Sequence, residues 1–397
     1  MRPFEGIKIM DCTHVLAGPF AAYQLALLGA DVVKVDDPNA PDQSRESGAD
    51  MALNEQGMGT GFITQGSNKR CIALDLKTEG GRAALKKLAT EWADVLVENY
   101  RPGAFKALGL GYDELSRTNP RLIYASMTAF GQDGPRGYMT AYDQAIQATS
   151  GITASTGTPD SGPIKAGAPV IDYATGTTGA FALAAALFQR TRTNKGQYID
   201  MAMLDVALIL QASHVTDYCH SGHHPKRNGN KLRFAAQCAY QTKDGMLQIA
   251  ASNRRQHERF YAALGNPEEA RRSSLEERNA RFDEKYRFVT EKMMEKTADE
   301  WEAYLQSKHV PAARVRELRE AVADPHVKHR GVLHRIDNVP GTGKPMTVPL
   351  TAFKFAHGGA SIERPPGHVG EHTDEVLRGV GYSDAELAAL RKAKAIV

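Results

Sequence analysis

Short apolar runs alternate with longer stretches of helical character along the first two hundred residues. The first run is 7–10. Pro19 suits the opening turn of a helix, residues 23–28 continue its body, and Gly29 supplies a stop. A second run, 31–35, follows at once, so strand, helix and strand fit within about 30 residues, the size of a βαβ unit. The pattern returns with a run at 70–76, a helix over 78–92 and a run at 94–97, and residues 122–127 predict another strand. Such alternation predicts a mostly parallel sheet covered on both faces, with ligands at the carboxyl ends of its strands.

From about residue 226 the pattern changes. Residues 238–241 and 246–250 flank Lys243-Asp244-Gly245, a hairpin signal, and helices are predicted over 254–264 and 297–307. This second unit reads as α+β. Further on, 332–336 and 347–355 look extended, and Ser383 with Glu386 makes a capping box for a last helix.

Length and charge narrow the picture. A chain of 397 residues, at about 150 residues per domain, makes two or three compact units. Lys and Arg total 49 against 46 Asp and Glu, a balance of +3 that does not suit a nucleic-acid binder. The longest wholly apolar stretch, 180–188, falls short of the ~20 residues of a membrane span, so no membrane partner is expected. Glu5 and Asp11 interrupt the N-terminus before any signal-like run, and Cys12, Cys71, Cys219 and Cys238 form no CxxC pair. A reducing, cytoplasmic compartment is the expectation.

A dinucleotide-binding domain is the obvious guess for such an opening, with Asp36 ending the second strand. The glycines refuse it: residues 11–20 hold one glycine and a proline where the pyrophosphate fingerprint needs three spaced glycines. Gly57, Gly59 and Gly61 follow a polar segment and are expected in a mobile loop. Residues 141–151 look like a helix ended by glycine, followed by a loop to Pro163. Asp172 then falls near the start of an alanine-rich helix. There it suits an N-cap carboxylate, and the same geometry, which keeps a carboxylate ionised, suits a carboxylate nucleophile. The two readings are not exclusive.

Several ordered segments together resemble the family III CoA-transferases. They are Thr13-His14-Val15-Leu16-Ala17-Gly18-Pro19, Gly29-Ala30-Asp31-Val32-Val33-Lys34-Val35, Ser67-Asn68-Lys69-Arg70, Val97-Glu98-Asn99-Tyr100-Arg101-Pro102-Gly103, Ala141-Tyr142-Asp143, Asp172, and Gly196-Gln197-Tyr198-Ile199-Asp200. Segments 370–375 and 381–386 also match. That family includes formyl-CoA, carnitine and bile-acid CoA-transferases, with α-methylacyl-CoA racemases as relatives. The resemblance implies a large Rossmann-like α/β domain of parallel strands built from both chain ends, 1–220 and 328–397, with a smaller α+β domain over 226–325. It also implies an interlocked homodimer, and neither metal nor cofactor beyond coenzyme A itself as substrate.

The same resemblance assigns roles. Asp172 is implied as the nucleophile, attacking an acyl-CoA thioester and then carrying CoA as an aspartyl thioester until a carboxylic acid acceptor collects it. His14, Leu16 and Ala17 are implied to line the CoA channel, Leu74, Lys77, Asn99, Tyr100 and Arg101 to hold the nucleotide end, and Tyr142 to stand near the thioester. Formyl-transferring members carry glutamine, arginine and lysine where this chain has Leu16, Asp37 and Thr140, and a glycine run absent from 220–230. Oxalate and formyl-CoA are therefore disfavoured. Racemase relatives place a histidine where Tyr142 stands, so one of two acid/base groups is missing. The basic set His220, His223, His224, Lys226, Arg227, Lys231 and Arg233 is read either as a hydrated linker or as a receiver of an acidic acceptor. The expectation is CoA transfer from a donor such as succinyl-CoA to a dicarboxylate or sulfinate-bearing short acid. The alternatives are a 2-methylacyl-CoA racemase and a CoA-binding protein in which Asp172 is only a cap.

Overall fold

The structure is a computed structural model that describes residues 1–270 and 280–397; part of the expected small domain, 271–279, lies outside the described residues. The chain divides into two compact units. One comprises Met1–Ile152, Lys165–His224 and Arg330–Val397, the other Thr153–Ile164 and Pro225–His329. Residues 153–164, read from sequence as a loop of the large domain, group with the second unit.

Six parallel strands form the sheet of the first unit: β1 (Lys8–Cys12), β2 (Asp31–Asp36), β3 (Lys69–Ala73), β4 (Val95–Glu98), β5 (Ile123–Thr128) and β6 (Gln197–Ala202), in the order β3-β2-β1-β4-β5-β6. Alternate side chains feed two cores. Met10, Val33, Ile72 and Leu96 point to one face, and Ile9, Val32, Val95 and Val97 to the other. Both faces are covered, which is why these strands read as continuous apolar runs rather than alternating ones. Beyond β1 the chain builds outward to β3, then returns past β1 to β4, so the loops after β1 and β4 diverge and leave a crevice between them.

The helices that shape this crevice are α1 (Ala17–Leu27), α2 (Thr60–Gly66), α3 (Glu79–Glu91), α4 (Asp143–Ser150), α5 (Val170–Thr193), α6 (Met203–Leu210) and α7 (Ala212–Ser221). Thr78 caps α3 by accepting from the Gly81 N–H at 3.0 Å. Gly57, Gly59 and Gly61 do not form the expected mobile loop. They lead into α2, and a Cβ at Gly59 would lie 2.5 Å from the Ser47 carbonyl, so close backbone approach accounts for that glycine. Helix α5 has the length and apolar composition of a membrane span even though its longest wholly apolar stretch is short; its Leu183, Ala186 and Leu187 are buried in the unit's core.

The second unit has its own antiparallel sheet, β7 (Ala239–Gln241), β8 (Met246–Ile249) and β9 (Ala312–Arg314), with β8 central. Helices α8 (Arg254–Ala263), α9 (Phe282–Met293) and α10 (Ala298–Ser307) pack Phe260, Val289 and Trp301 with Leu247 and Ile249. Full capping boxes, Asn253 with Gln256 and Thr297 with Glu300, start α8 and α10.

The C-terminal segment belongs to the first unit. It holds the antiparallel pair β10 (Leu333–Ile336) and β11 (Met346–Pro349), then α11 (Thr373–Arg378) and α12 (Asp384–Lys392). It covers the exposed edge of β3: Cys71 N–H donates to His372 Nδ1 at 3.1 Å, Ala73 N–H to Thr373 Oγ1 at 3.1 Å, and the His372 N–H to the Cys71 carbonyl at 2.8 Å.

Candidate active site

The loop after β1 is fixed residue by residue. Lys34 Nζ donates to the Thr13 carbonyl, and the Asn99 side chain takes the His14 N–H at 2.8 Å and donates to the His14 carbonyl at 2.8 Å. Asn99 begins the loop after β4, so a single side chain ties the two diverging loops together. The next residue, Tyr100, places its hydroxyl 3.0 Å from His14 Nε2. Burial, and secondarily the Lys34 charge, holds the His14 imidazole below its ordinary pKa, which favours the neutral ring.

Beneath the loop lies a buried charge cluster. Lys34 sits 3.3 Å from Asp36 and 3.5 Å from Asp42, Arg45 pairs with Asp36 at 2.8 Å, and Lys69 pairs with Asp11 at 2.7 Å. All six side chains are essentially inaccessible to water. Burial pushes the Asp36 carboxyl up, yet Lys34 and Arg45 outweigh it and hold the group at about 2.

Asp172 comes from a different direction, in the first turn of α5. Its carboxylate makes no hydrogen bond to any described residue and caps nothing. The capping carboxylate is Asp143, at the start of α4, whose Oδ2 accepts the Ile171 N–H at 2.7 Å and the Asp172 N–H at 3.2 Å. The cap expected of Asp172 is thus supplied by a residue 29 positions earlier. Without that cap, burial, then the Asp143 charge, raises the Asp172 carboxyl to about 7.

Asp172 opens on a cavity of about 410 Å³ that lies wholly within the first unit. The β1 and β4 loops form one wall, and Tyr142 and Asp172 the other. Gly176, one turn after Asp172, lets the walls meet, because a Cβ there would lie 2.7 Å from the Ala17 carbonyl and 2.9 Å from the Phe20 ring.

His14, Leu16, Ala17, Asn99, Tyr100, Arg101, Tyr142 and Asp172 all line this cavity. Leu74 and Lys77 do not. Leu74 is 1% exposed and bridges Ile396, its side chain spent on the core, whereas the Lys77 side chain is 76% exposed and lies 3.5 Å from Asp37. Tyr142 is 60% exposed, so its hydroxyl is not tied up in a buried backbone bond. The basic residues of 220–233 do not line the cavity either; Lys231 lies over the Tyr286 ring and Arg227 donates to the Ala154 carbonyl. Sequence reasoning missed Asp143 as a capping group, the buried partners Asp42 and Gln65, and Gly176. Only Asp143 carried a signal, as part of Ala141-Tyr142-Asp143. It also missed Glu98, which burial raises to about 7 at the edge of a neighbouring cavity of about 300 Å³ lined by Tyr112, Tyr124 and Tyr198.

A doubly wound parallel sheet with a carboxylate that lacks a bonding partner among the described residues at its switch-point crevice is an α/β fold offering a candidate nucleophile where such sheets bind their ligands. Residues 4–373 match CoA-transferase family III, and the chain belongs to that family as a CoA-transferase. It is 32% identical over 398 residues to the succinyl-CoA:glutarate CoA-transferase of Homo sapiens, covering 99% of this chain and 90% of the relative. It is 34% identical over 395 residues to the acetyl-CoA:oxalate CoA-transferase of Acetobacter aceti, covering 98% and 95%. Among solved structures it resembles a CAIB/BAIF family protein from Brucella suis with a TM-score of 0.81 at 32% identity, covering 96% of this chain and 99% of that one.

Proposed function

We propose that the protein moves CoA from succinyl-CoA to a short dicarboxylic acid of about glutarate size by way of a covalent thioester on Asp172. The carrying observation is the Asp172 carboxylate itself, cavity-facing, without a bonding partner among the described residues, and with its pKa raised to about 7. A carboxylate that no cation neutralises keeps its nucleophilicity. The human relative's name supports the donor and the acceptor. Leu16 and Thr140, uncharged on the cavity wall, support an acceptor longer than oxalate.

The cycle has four steps. An Asp172 oxygen attacks the thioester carbonyl of the donor; the C–S bond breaks, giving a mixed anhydride and CoA thiolate. The thiolate attacks the aspartyl carbonyl and releases the donor acid as a carboxylate. An acceptor carboxylate then attacks the aspartyl thioester, forming a second anhydride and freeing thiolate again. The thiolate finally attacks the acceptor's acyl carbonyl and returns Asp172 as a carboxylate. No proton is gained or lost over the cycle, and one thioester replaces another of similar energy. Each tetrahedral intermediate bears an oxyanion, for which N–H groups at the start of α1 suit the need. Arg101, the one permanently cationic side chain among the described lining residues, suits the acceptor's second carboxylate or a phosphate of CoA. An interlocked homodimer is part of the same reading; Phe181, Phe188, Ile209, Leu210 and Tyr218, exposed on α5, α6 and α7, support it as apolar side chains that a second copy would cover.

A donor and acceptor screen tests the reading. Succinyl-CoA with glutarate is expected to yield glutaryl-CoA and succinate by liquid chromatography with mass detection, faster than with oxalate, formate or a sulfinate-bearing acid. Exchange confined to monocarboxylates would overturn the substrate assignment.

A further inference from the structure

Val15 lines the cavity together with its neighbours His14 and Leu16, and its backbone is left-handed, with φ of +72°. For a β-branched residue this is a genuine outlier, because the side chain crowds its own backbone there. Nothing in the local sequence favours it. Two side chains from outside the loop hold it. The Val15 N–H donates to Asp42 Oδ1 at 2.9 Å, and Gln65 Nε2 donates to the Val15 carbonyl at 3.0 Å. Both are built into the core: Asp42 is 1% and Gln65 2% exposed. Asp42 is itself anchored by Lys34 at 3.5 Å and by the Ser44 N–H at 3.0 Å, and Gln65 also donates to the Gly61 carbonyl at 2.7 Å.

The consequence appears two residues later. Helix α1 begins at Ala17 behind Leu16, which supplies no side-chain cap. Pro19 has no N–H, so the donors that the helix start leaves without an intrahelical acceptor are those of Leu16, Ala17 and Gly18. Ala17 lines the cavity with Asp172. The direction in which the chain enters α1, and so the placing of that donor, is set by the turn at Val15.

We propose that Asp42 and Gln65 are positioning residues that hold Val15 in its left-handed turn and thereby place the start of α1 against the reacting carbonyl at Asp172. The inference rests on the aspartyl-thioester reading above and adds to it a part of the chain that touches no substrate.

The test exploits glycine, which adopts positive φ without penalty and makes the clamp dispensable. Gln65→Met keeps the side chain's length and removes its donor. Its effect is measured in the native background and in a Val15→Gly background, by the single-turnover rate at which succinyl-CoA places CoA on Asp172, read by rapid quench and mass spectrometry. In the native background the rate is expected to fall about 30-fold, with the apparent Kd for succinyl-CoA changed less than threefold; in the Val15→Gly background the fall is expected to be under threefold. Equal losses in both backgrounds, or none in either, would overturn the proposal, since a merely packing role for Gln65 would not be relieved by glycine at position 15. A second measurement needs no variant: amide exchange of the unaltered protein is expected to find the Val15 N–H slow, and fast exchange there overturns the clamp even if Gln65→Met does not fold. Failure of the unaltered protein to form any adduct on Asp172, with Val15 slow, would instead remove the catalytic reading on which the inference stands.

Discussion

Two sets of carboxylates, one buried and one half-buried at the cavity, stand at the carboxyl end of the same sheet, and they are treated in opposite ways. Beneath the β1 loop, Asp11, Asp36 and Asp42 are matched by Lys69, Lys34 and Arg45, and Asp36 is held at about 2. Across the cavity, Asp172 has no cation and has Asp143 for a neighbour, and it rises to about 7. Burial penalises the charged form in both places. What differs is whether an opposite charge is supplied. Paired charges are committed to holding a loop; the unpaired one retains its capacity to react. The contrast explains how a reactive carboxylate is kept on a rigid frame within one small crevice.

The widest separation between the two sets should appear in activity. Asp172→Asn is expected to lower CoA exchange by about 10³-fold or more while leaving far-ultraviolet circular dichroism unchanged. A loss below tenfold would put the nucleophile elsewhere. Next comes stability on the paired side. Lys34→Met leaves Asp36 short of one cation and Asp42 with none at 0–1% exposure, and removing one partner of a buried pair destabilises by about 3–5 kcal/mol. Urea unfolding checks the value, and a change under 1 kcal/mol would mean that the cluster is not what braces the loop.

Gly176→Ala forces a methyl into 2.7 Å of the Ala17 carbonyl. Overpacking of this kind destabilises by about 1–3 kcal/mol, and kcat is expected to fall further than thermal stability alone explains, because the two walls of the site part.

The smallest effects are in pH. The two carboxylate sets predict opposite slopes. Asp36, depressed to about 2, contributes stability that is present above its ordinary value of 3.8 and lost as pH falls toward 2. Asp172, raised to about 7, does the reverse: stability declines as pH climbs from about 4 to about 7, because the folded state then holds the extra proton. Asp172→Asn should therefore melt higher than the native protein at pH 8 and at nearly the same temperature at pH 4. Asp143→Asn keeps an oxygen to accept the Ile171 N–H but removes the charge, so the acid limb of the activity profile should move to lower pH without vanishing, burial being the larger cause. A limb unmoved by Asp143→Asn would assign the whole rise to burial.

Much of this arrangement was legible in the chain. The runs that became β1, β2, β4 and β5 are apolar on both faces, so they stood out whichever way the sheet lay, and the Ser383 capping box announced α12 from local chemistry alone. Asp172 was visible as a carboxylate near a helix start. Its environment was not, because Asp143, Gly176 and the β1 loop reach it from distant parts of the chain. Lys34 and Lys69 look like surface residues in sequence and are 1% and 0% exposed in the fold, since only their carboxylate partners, Asp36 and Asp42 for Lys34 and Asp11 for Lys69, make burial tolerable. Leu74 and Lys77, three residues apart on one segment, lie away from this cavity and meet different fates, core and solvent, which sequence proximity does not distinguish.

The most direct test of the account is the state of Asp172 during turnover. The protein is mixed with succinyl-CoA and no acceptor, quenched at pH values from 5 to 9, digested, and examined by mass spectrometry. The account predicts a CoA thioester confined to the peptide that carries Asp172, reducible by borohydride, forming at a rate that rises with pH to a plateau with a midpoint near 7. Exchange of CoA with no adduct on Asp172, or an adduct rate independent of pH across 7, would contradict it.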